Sequence, residues 1–234
     1  MEMKAEDLYE VLKTKGIDSL NHANSVLTSC QFLRSGALIS RGTIEKKKWR
    51  QTQQKSDVLD KDFGIWNDIF VDSVDIHDRA KCANSYGPVL IKIDSSILKN
   101  GHVGNVWVTK SNPIYWDHKS VEGRWFQSID EFAKEFIEET FCQMIVFRNY
   151  GDKLPIKKYV KEILLDNPVF ERKLKYDPYS LAYGALRYSL EEGGIEGVPI
   201  QKRICKSSCT CTEDYNDDLK GMARMYAPWG LKNN

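Results

Sequence analysis

The sequence predicts an α+β fold, with mixed and antiparallel sheets flanked by helices, from three observations. Short β-rich runs at 89–93, 103–109 and 143–147 are bounded by turn residues in the manner of hairpins. Helical patterns at 5–15, from 128 to before Cys142, and at 178–192 are scattered among them and do not alternate strand for helix. No repeat of about 20 to 50 residues and no low-complexity linker divides the chain, so its 234 residues read as one domain over 1–234.

In chain order, 5–15 forms an opening helix with Leu8, Val11 and Leu12 on one face and Gly16 after it. Residues 20–42 form a compact unit. Asn24 is the expected N-cap, and Val26, Leu27, Cys30 and Leu33 follow at helical spacing. Gly36 stops that helix, and a short buried run at 37–39 delivers Ser40 and Arg41 to its end. His22, Asn24 and Arg41 thereby fall near the rim of one unit.

Residues 44–62 are polar and read as a loop or an exposed helix carrying Lys46, Lys47, Lys48, Arg50 and Lys55 around Trp49. This cluster suits a phosphate backbone with one stacked base, and equally a solvated loop. Residues 64–77 are apolar with acidic interruptions. Read as a helix, they put Asp68, Asp72 and Asp75 on one face.

A turn at 84–88 leads to a buried strand at 89–93, a second at 103–109 and a shorter third at 113–116. Ser128 with Glu131 forms a capping box, and Ile129, Phe132 and Phe136 supply the buried stripe behind it. Strands follow at 143–147 and 159–165, then the helix at 178–192 closed by Gly193 and Gly194, and a last strand at 198–204. The polar tail after Thr210 reads as loosely held.

Composition narrows the function classes. Apolar content of 41% and charged content of 29% are ordinary for a globular protein. A net charge of +1 leaves no whole-molecule field, so any polyanion site is a local patch. No apolar run approaches the roughly 20 residues that span a bilayer, so no membrane partner is expected. Six cysteines with no secretory signal suggest reduced thiols and a cytoplasmic protein. Missing motifs make a Rossmann dehydrogenase, a P-loop NTPase, a zincin and an α/β-hydrolase poor readings. Cys205-x3-Cys209-x-Cys211 is the one tight cysteine group; free thiols, a zinc site completed by His77 or Cys82, and a redox pair are all open.

With these residues in view, the chain resembles the ADP-ribosyltransferase toxins of the DarT type and their CmdT-like anti-phage relatives. The likeness lies in His22, Asn24, Val26-Leu27 and the run from Gly36 to Arg41. It continues in Asp68-Ile69-Phe70, in Tyr86 to Leu90, and in Gln143 to Phe147 with Lys153-Leu154-Pro155 after it. It covers about residues 17–166, leaving a helix, a strand and the cysteine-containing tail in 167–234.

The resemblance implies an ADP-ribosyltransferase-like fold and transfer of ADP-ribose from NAD to RNA or DNA. It also implies a toxin or defence role, with an antitoxin or chaperone as a further partner. His22, Asn24, Arg41 and Tyr86 become candidate NAD-binding residues. The family's strand begins with a catalytic Glu, whereas this chain has Gln143 or Met144 there. The catalytic set expected is therefore Arg41, Gln143 and an acid from elsewhere, Glu122 or Glu139.

Each residue also has a plainer role: His22 satisfied within the fold, Asn24 a cap, Arg41 a surface ion pair, Tyr86 a core plug, Glu122 a solvated loop carboxylate. Two rival functions stay open. One is a metal-dependent nuclease using Asp68, Asp72 and Asp75; the other is a non-catalytic module binding nucleic acid or another partner through the basic loop.

Overall fold

A computed structural model of the chain describes residues 2–138, 140, 142–148, 150, 153–170 and 174–230. Its framework is two four-stranded sheets. The first runs β1 (Met3–Lys4), β6 (Asn105–Val108), β7 (Ile145–Phe147), β4 (Ile69–Val71), with every pair antiparallel. The second runs β10 (Ile200–Lys202), β9 (Val160–Leu165), β5 (Val89–Asp94), β2 (Ser19–Asn24), where β10 is parallel to β9 and the other pairs are antiparallel. A small ribbon pairs β3 (Ala37–Ile39) with β8 (Lys153–Pro155). The α+β architecture with mixed and antiparallel sheets and flanking helices is as predicted.

The two large sheets meet at one residue pair. Asn21 and Asp72 exchange both backbone hydrogen bonds, at 2.7 and 2.8 Å, across an antiparallel bridge. That bridge ties β2 of one sheet to the end of β4 of the other.

The helices cover the apolar faces. α1 (Ala5–Thr14) buries Leu8 and Leu12. α2 (Val26–Ser35) is buried along most of its length because β5 and β3 lie on one side of it and α7 (Pro178–Glu192) on the other. Ser25 caps α2, its hydroxyl accepting from the Thr28 N–H, so Asn24 is not the cap as expected. Asn24 is the last residue of β2, and its side-chain oxygen accepts from the Ser25 N–H instead. Gly36 takes the left-handed conformation at φ 60° and ends α2 as predicted. Ser40 caps α3 (Arg41–Lys46), and α4 (Asp57–Asp62) follows a loop. α6 (Ile129–Glu135) has the predicted capping box: Ser128 accepts from the Glu131 N–H at 3.1 Å, and Glu131 reaches back to the Gln127 N–H.

Three further expectations fail. Residues 64–77 are not a helix: they hold β4 and the start of α5 (Ile76–Ala80), so Asp68, Asp72 and Asp75 share no helical face. Residues 113–115 form a 3-10 turn and not a strand, because Asn112 caps it and Pro113 sits at its first position. The tail is also well packed. α8 (Cys211–Asp217) and α9 (Leu219–Tyr226) bury Tyr215, Met222 and Tyr226, with the Tyr215 and Tyr226 hydroxyls donating to the Asp166 carboxylate and carbonyl at 2.7 and 2.9 Å. Among the described residues no helix is long and apolar enough to cross a membrane.

The turn before β5 lies directly against the β2–α2 junction. A Cβ on Gly87, at φ 143°, would fall 2.3 Å from the Asn24 carbonyl and 2.4 Å from the Ser25 nitrogen. Gly104, at φ 59°, faces open space. Gly87→Ala is expected to lower stability by about 2 kcal/mol or more in urea unfolding, and Gly104→Ala by about 1. Equal costs would show that the close approach is not there.

Candidate active site

The junction between the two sheets opens into a cavity with about 830 Å³ of empty space, its open mouth included. β2 contributes His22 and Asn24 to the wall, α3 contributes Arg41, and the turn held by Gly87 contributes Tyr86. His22, Asn24 and Arg41, near one another in sequence, and Tyr86, from a distant turn, line one space.

His22 is half-buried, with Nδ1 2.8 Å from the Phe70 carbonyl oxygen of β4. A carbonyl can only accept, so Nδ1 carries the proton and Nε2 is left as an acceptor. Burial lowers the imidazole pKa against the opposing effect of that hydrogen bond, which keeps the ring neutral. Nε2 is buried and has no hydrogen-bond partner. Phe32 of α2 meets the ring edge-on at 5.4 Å and fixes its tilt.

Arg41 is anchored from one side. Nη2 donates to the Asp57 carboxylate at 2.7 Å and to the Thr52 carbonyl at 3.1 Å, and the guanidinium carbon lies 5.2 Å from the Trp66 ring centroid. Trp66 is brought there by the Gly42 N–H, which donates to its carbonyl at 2.9 Å. Nε and Nη1 make no hydrogen bond. A guanidinium positioned by ion pair and stacking, with two donors in hand, suits a phosphate or a carboxylate.

The same cavity is lined by carboxyls. Asp72 follows β4 directly, and burial alone pushes its carboxyl up to about 8. Its Oδ1 has no hydrogen-bond partner. Burial likewise raises Asp60 to about 6, against a hydrogen bond from Ser56 that lowers it. Asp68 pairs with Arg148 at 2.9 Å, and Arg148 lies 5.1 Å from the centroids of both Trp107 and Trp125. Burial, then Asp72 and Asp60, push the Tyr86 hydroxyl up to about 12, so it is a neutral phenol near Asn112.

The expected catalytic residues other than Arg41 lie elsewhere. Glu122 is exposed in an outward-facing loop, its N–H donating to Ser120, and it does not line the cavity. Gln143 is buried but engaged: its oxygen accepts from the Ile137 N–H at 2.9 Å and its nitrogen donates to the Glu135 carbonyl, closing the end of α6. Met144, one residue on, is the side chain that reaches the cavity. Glu139 lies outside the described residues. The three-carboxylate nuclease site is not formed, because Asp75 caps α5 and pairs with Arg203 at 2.6 Å while Asp68 and Asp72 face the cavity. Asp60, Trp66 and Asn112 were not anticipated; each reaches the cavity only through long-range folding, and no local spacing marks it.

Between about pH 4 and about 8 the folded chain holds a proton on Asp72 that an unfolded chain has released. Stability from this group is complete at the acid end and is lost as pH rises through about 8, by on the order of a few kcal/mol. Asp72→Asn is expected to unfold at higher urea than the unmodified chain at about pH 8, with the gap closing toward about pH 5. A gap independent of pH would mean that Asp72 is ionised throughout.

No protein-family model matches the sequence, and no curated protein matches it significantly. Among solved structures, Thermus sp. 2.9 DarT in complex with ADP-ribosylated ssDNA is similar over 80% of this chain and 95% of that one. Its TM-score is 0.49 and its sequence identity 8%. A likeness of that size fixes neither family nor activity.

Proposed function

We propose that this chain is an NAD-dependent ADP-ribosyltransferase acting on nucleic acid, with all of 1–234 serving as one domain. The observation that carries the reading is a single cavity lined by a positioned guanidinium, a neutral imidazole acceptor, an amide, a phenol and a buried carboxyl. It agrees with the family resemblance of residues 17–166 in its NAD-binding set, and it exchanges the catalytic acid for Asp72.

Arg41 holds the pyrophosphate through Nε and Nη1, the two donors it does not use within the chain. His22 Nε2 accepts a hydrogen bond from a ribose hydroxyl or from the carboxamide, and the Asn24 side chain completes that contact. Tyr86 offers an aromatic face to the nicotinamide ring.

The transfer breaks the ribose–nicotinamide bond, the electron pair leaving with nicotinamide, and forms a bond from the same ribose carbon to a base of the acceptor. Asp72 as carboxylate stabilises the positive charge on the sugar and takes the proton the acceptor loses. A carboxyl at about 8 becomes easier to ionise when a cationic ring approaches.

The acceptor is read from the rim. The stretch running into Gln54 and Ser56, which line the cavity, carries Lys46, Lys47, Lys48, Arg50 and Lys55 with half-exposed Trp49. Tyr115 is 71% exposed next to Ile114, another lining residue. Cations for phosphate and exposed rings for bases are what single-stranded nucleic acid needs. A second reading rests on Met144, a thioether where the resemblance expects a carboxylate: a site that holds the dinucleotide without cleaving it.

Incubation with NAD labelled in its adenylate part, against separate DNA, RNA and protein pools, tests these readings. Nicotinamide release with label on DNA or RNA is expected. Arg41→Lys should weaken NAD use about tenfold or more, and Asp72→Asn should slow nicotinamide release about 100-fold with NAD binding retained. NAD binding without release establishes the second reading. No NAD binding at all removes both.

A further inference from the structure

A second cluster of reactive side chains forms where the tail meets the body. The loop after β10 carries Cys205 and Cys209, Cys211 opens α8, and α5 carries His77. One ligand atom from each of these four residues lies within 4.8 Å of all the others. His77 Nε2 is 3.4 Å from the sulfurs of both Cys205 and Cys209, and the Cys205 and Cys211 sulfurs are 3.5 Å apart. Zinc with bonds of about 2.3 Å to sulfur and about 2.0 Å to nitrogen sets tetrahedral edges of roughly 3.5 to 3.8 Å. Three of the cluster's edges already have nearly those lengths, and all four ligand atoms lie within 4.8 Å of one another.

We propose that His77, Cys205, Cys209 and Cys211 hold one structural zinc ion that pins the C-terminal helices to the segment bearing Asp72 and Tyr86. Three soft thiolates with one imidazole select zinc over the hard oxygen-seeking cations. Four protein ligands leave no open position, which makes the ion a clamp and not a catalyst.

The surroundings fit a metal-binding histidine. His77 Nδ1 donates to Asp166 at 2.9 Å, so Nε2 faces the sulfurs. Asp166 is itself held by Arg203 at 2.6 Å and by the Tyr215 hydroxyl at 2.7 Å. Arg203 reaches on to Asp75, which caps the helix carrying His77. Lys81, Arg203 and Lys206, together with Asp78, line the small opening above the cluster. Binding converts three S–H groups to zinc-bound thiolates and releases their protons to solvent.

The clamp bears on the cavity from both sides. His77 is five residues after Asp72. Lys81 and Ala83, just before Tyr86, are bonded to the cysteine segment: the Thr210 N–H donates to the Lys81 carbonyl, and the Ala83 N–H donates to Asp214.

Elemental analysis of the full chain, purified reduced and without chelator, is expected to find about one zinc per chain. Cys209→Ser should lower that content about tenfold or more, and Cys82→Ser should leave it unchanged, since Cys82 is not in the cluster. Removing the metal should lower Tm by about 5 °C or more. Should the serine variant fail to fold, cobalt titration of the zinc-stripped natural chain decides the matter. Tetrahedral cobalt bands with thiolate-to-cobalt charge transfer support the site. Absence of zinc together with absence of those bands in a reduced chain overturns it, as does a Cys205–Cys211 disulfide found in place of metal. None of these readings depends on NAD turnover.

Discussion

Much of this molecule depends on one backbone contact, the bridge between Asn21 and Asp72. Among the described residues the two sheets share one backbone bridge there, with both hydrogen bonds formed, and the His22 ring adds a side-chain bond to the Phe70 carbonyl. Sheets that meet along one pair must diverge, because each keeps its own twist. The divergence leaves a wedge of space, and the side chains beside the bridge face into it. His22 follows Asn21 on one strand, and Asp72 ends the other. The contact therefore creates the cavity and stocks it.

Stocking it has an energetic cost. A carboxyl at Asp72 with an unpartnered oxygen, and an imidazole with an unpartnered nitrogen, are polar groups withheld from water. Such groups persist when the rest of the fold overdetermines their place. Here that support is the buried β5 against β2, the α2 helix behind them, and the Gly87 turn pressed onto Asn24. Arg41 follows the same logic with the opposite charge. Asp57, Thr52 and Trp66 restrain its guanidinium, so fewer rotamers are lost when an anion arrives.

The C-terminal segment answers a different problem. β9 ends at Leu165, and Asp166 follows with its side chain buried. Its charge is matched by Arg203, His77 and the Tyr215 hydroxyl, drawn from three separated parts of the chain. An uncompensated carboxylate at that depth would cost several kcal/mol, on the order of 3 to 5. The tail is ordered because it supplies those partners, and the cysteine cluster stands next to them.

Local chemistry determined a good part of this protein from the sequence. Gly36 ends α2, Ser128 and Glu131 cap α6, and α7 spans the residues its pattern marks, because caps and helical periodicity act over a few residues of contiguous chain. Proximity along the chain likewise drew His22, Asn24 and Arg41 together. What spacing left undecided lay where two local solutions fit equally. The carboxylates at 68, 72 and 75 match a helix period, yet a three-residue strand takes that stretch because β7 and Asn21 offer its backbone partners. Tertiary structure alone brought Asp60, Asp72 and Trp66 to the same cavity as Arg41, and His77 to the cysteines. Burial sets the charge state of those groups, and burial is a property of the assembled sheets and not of any segment.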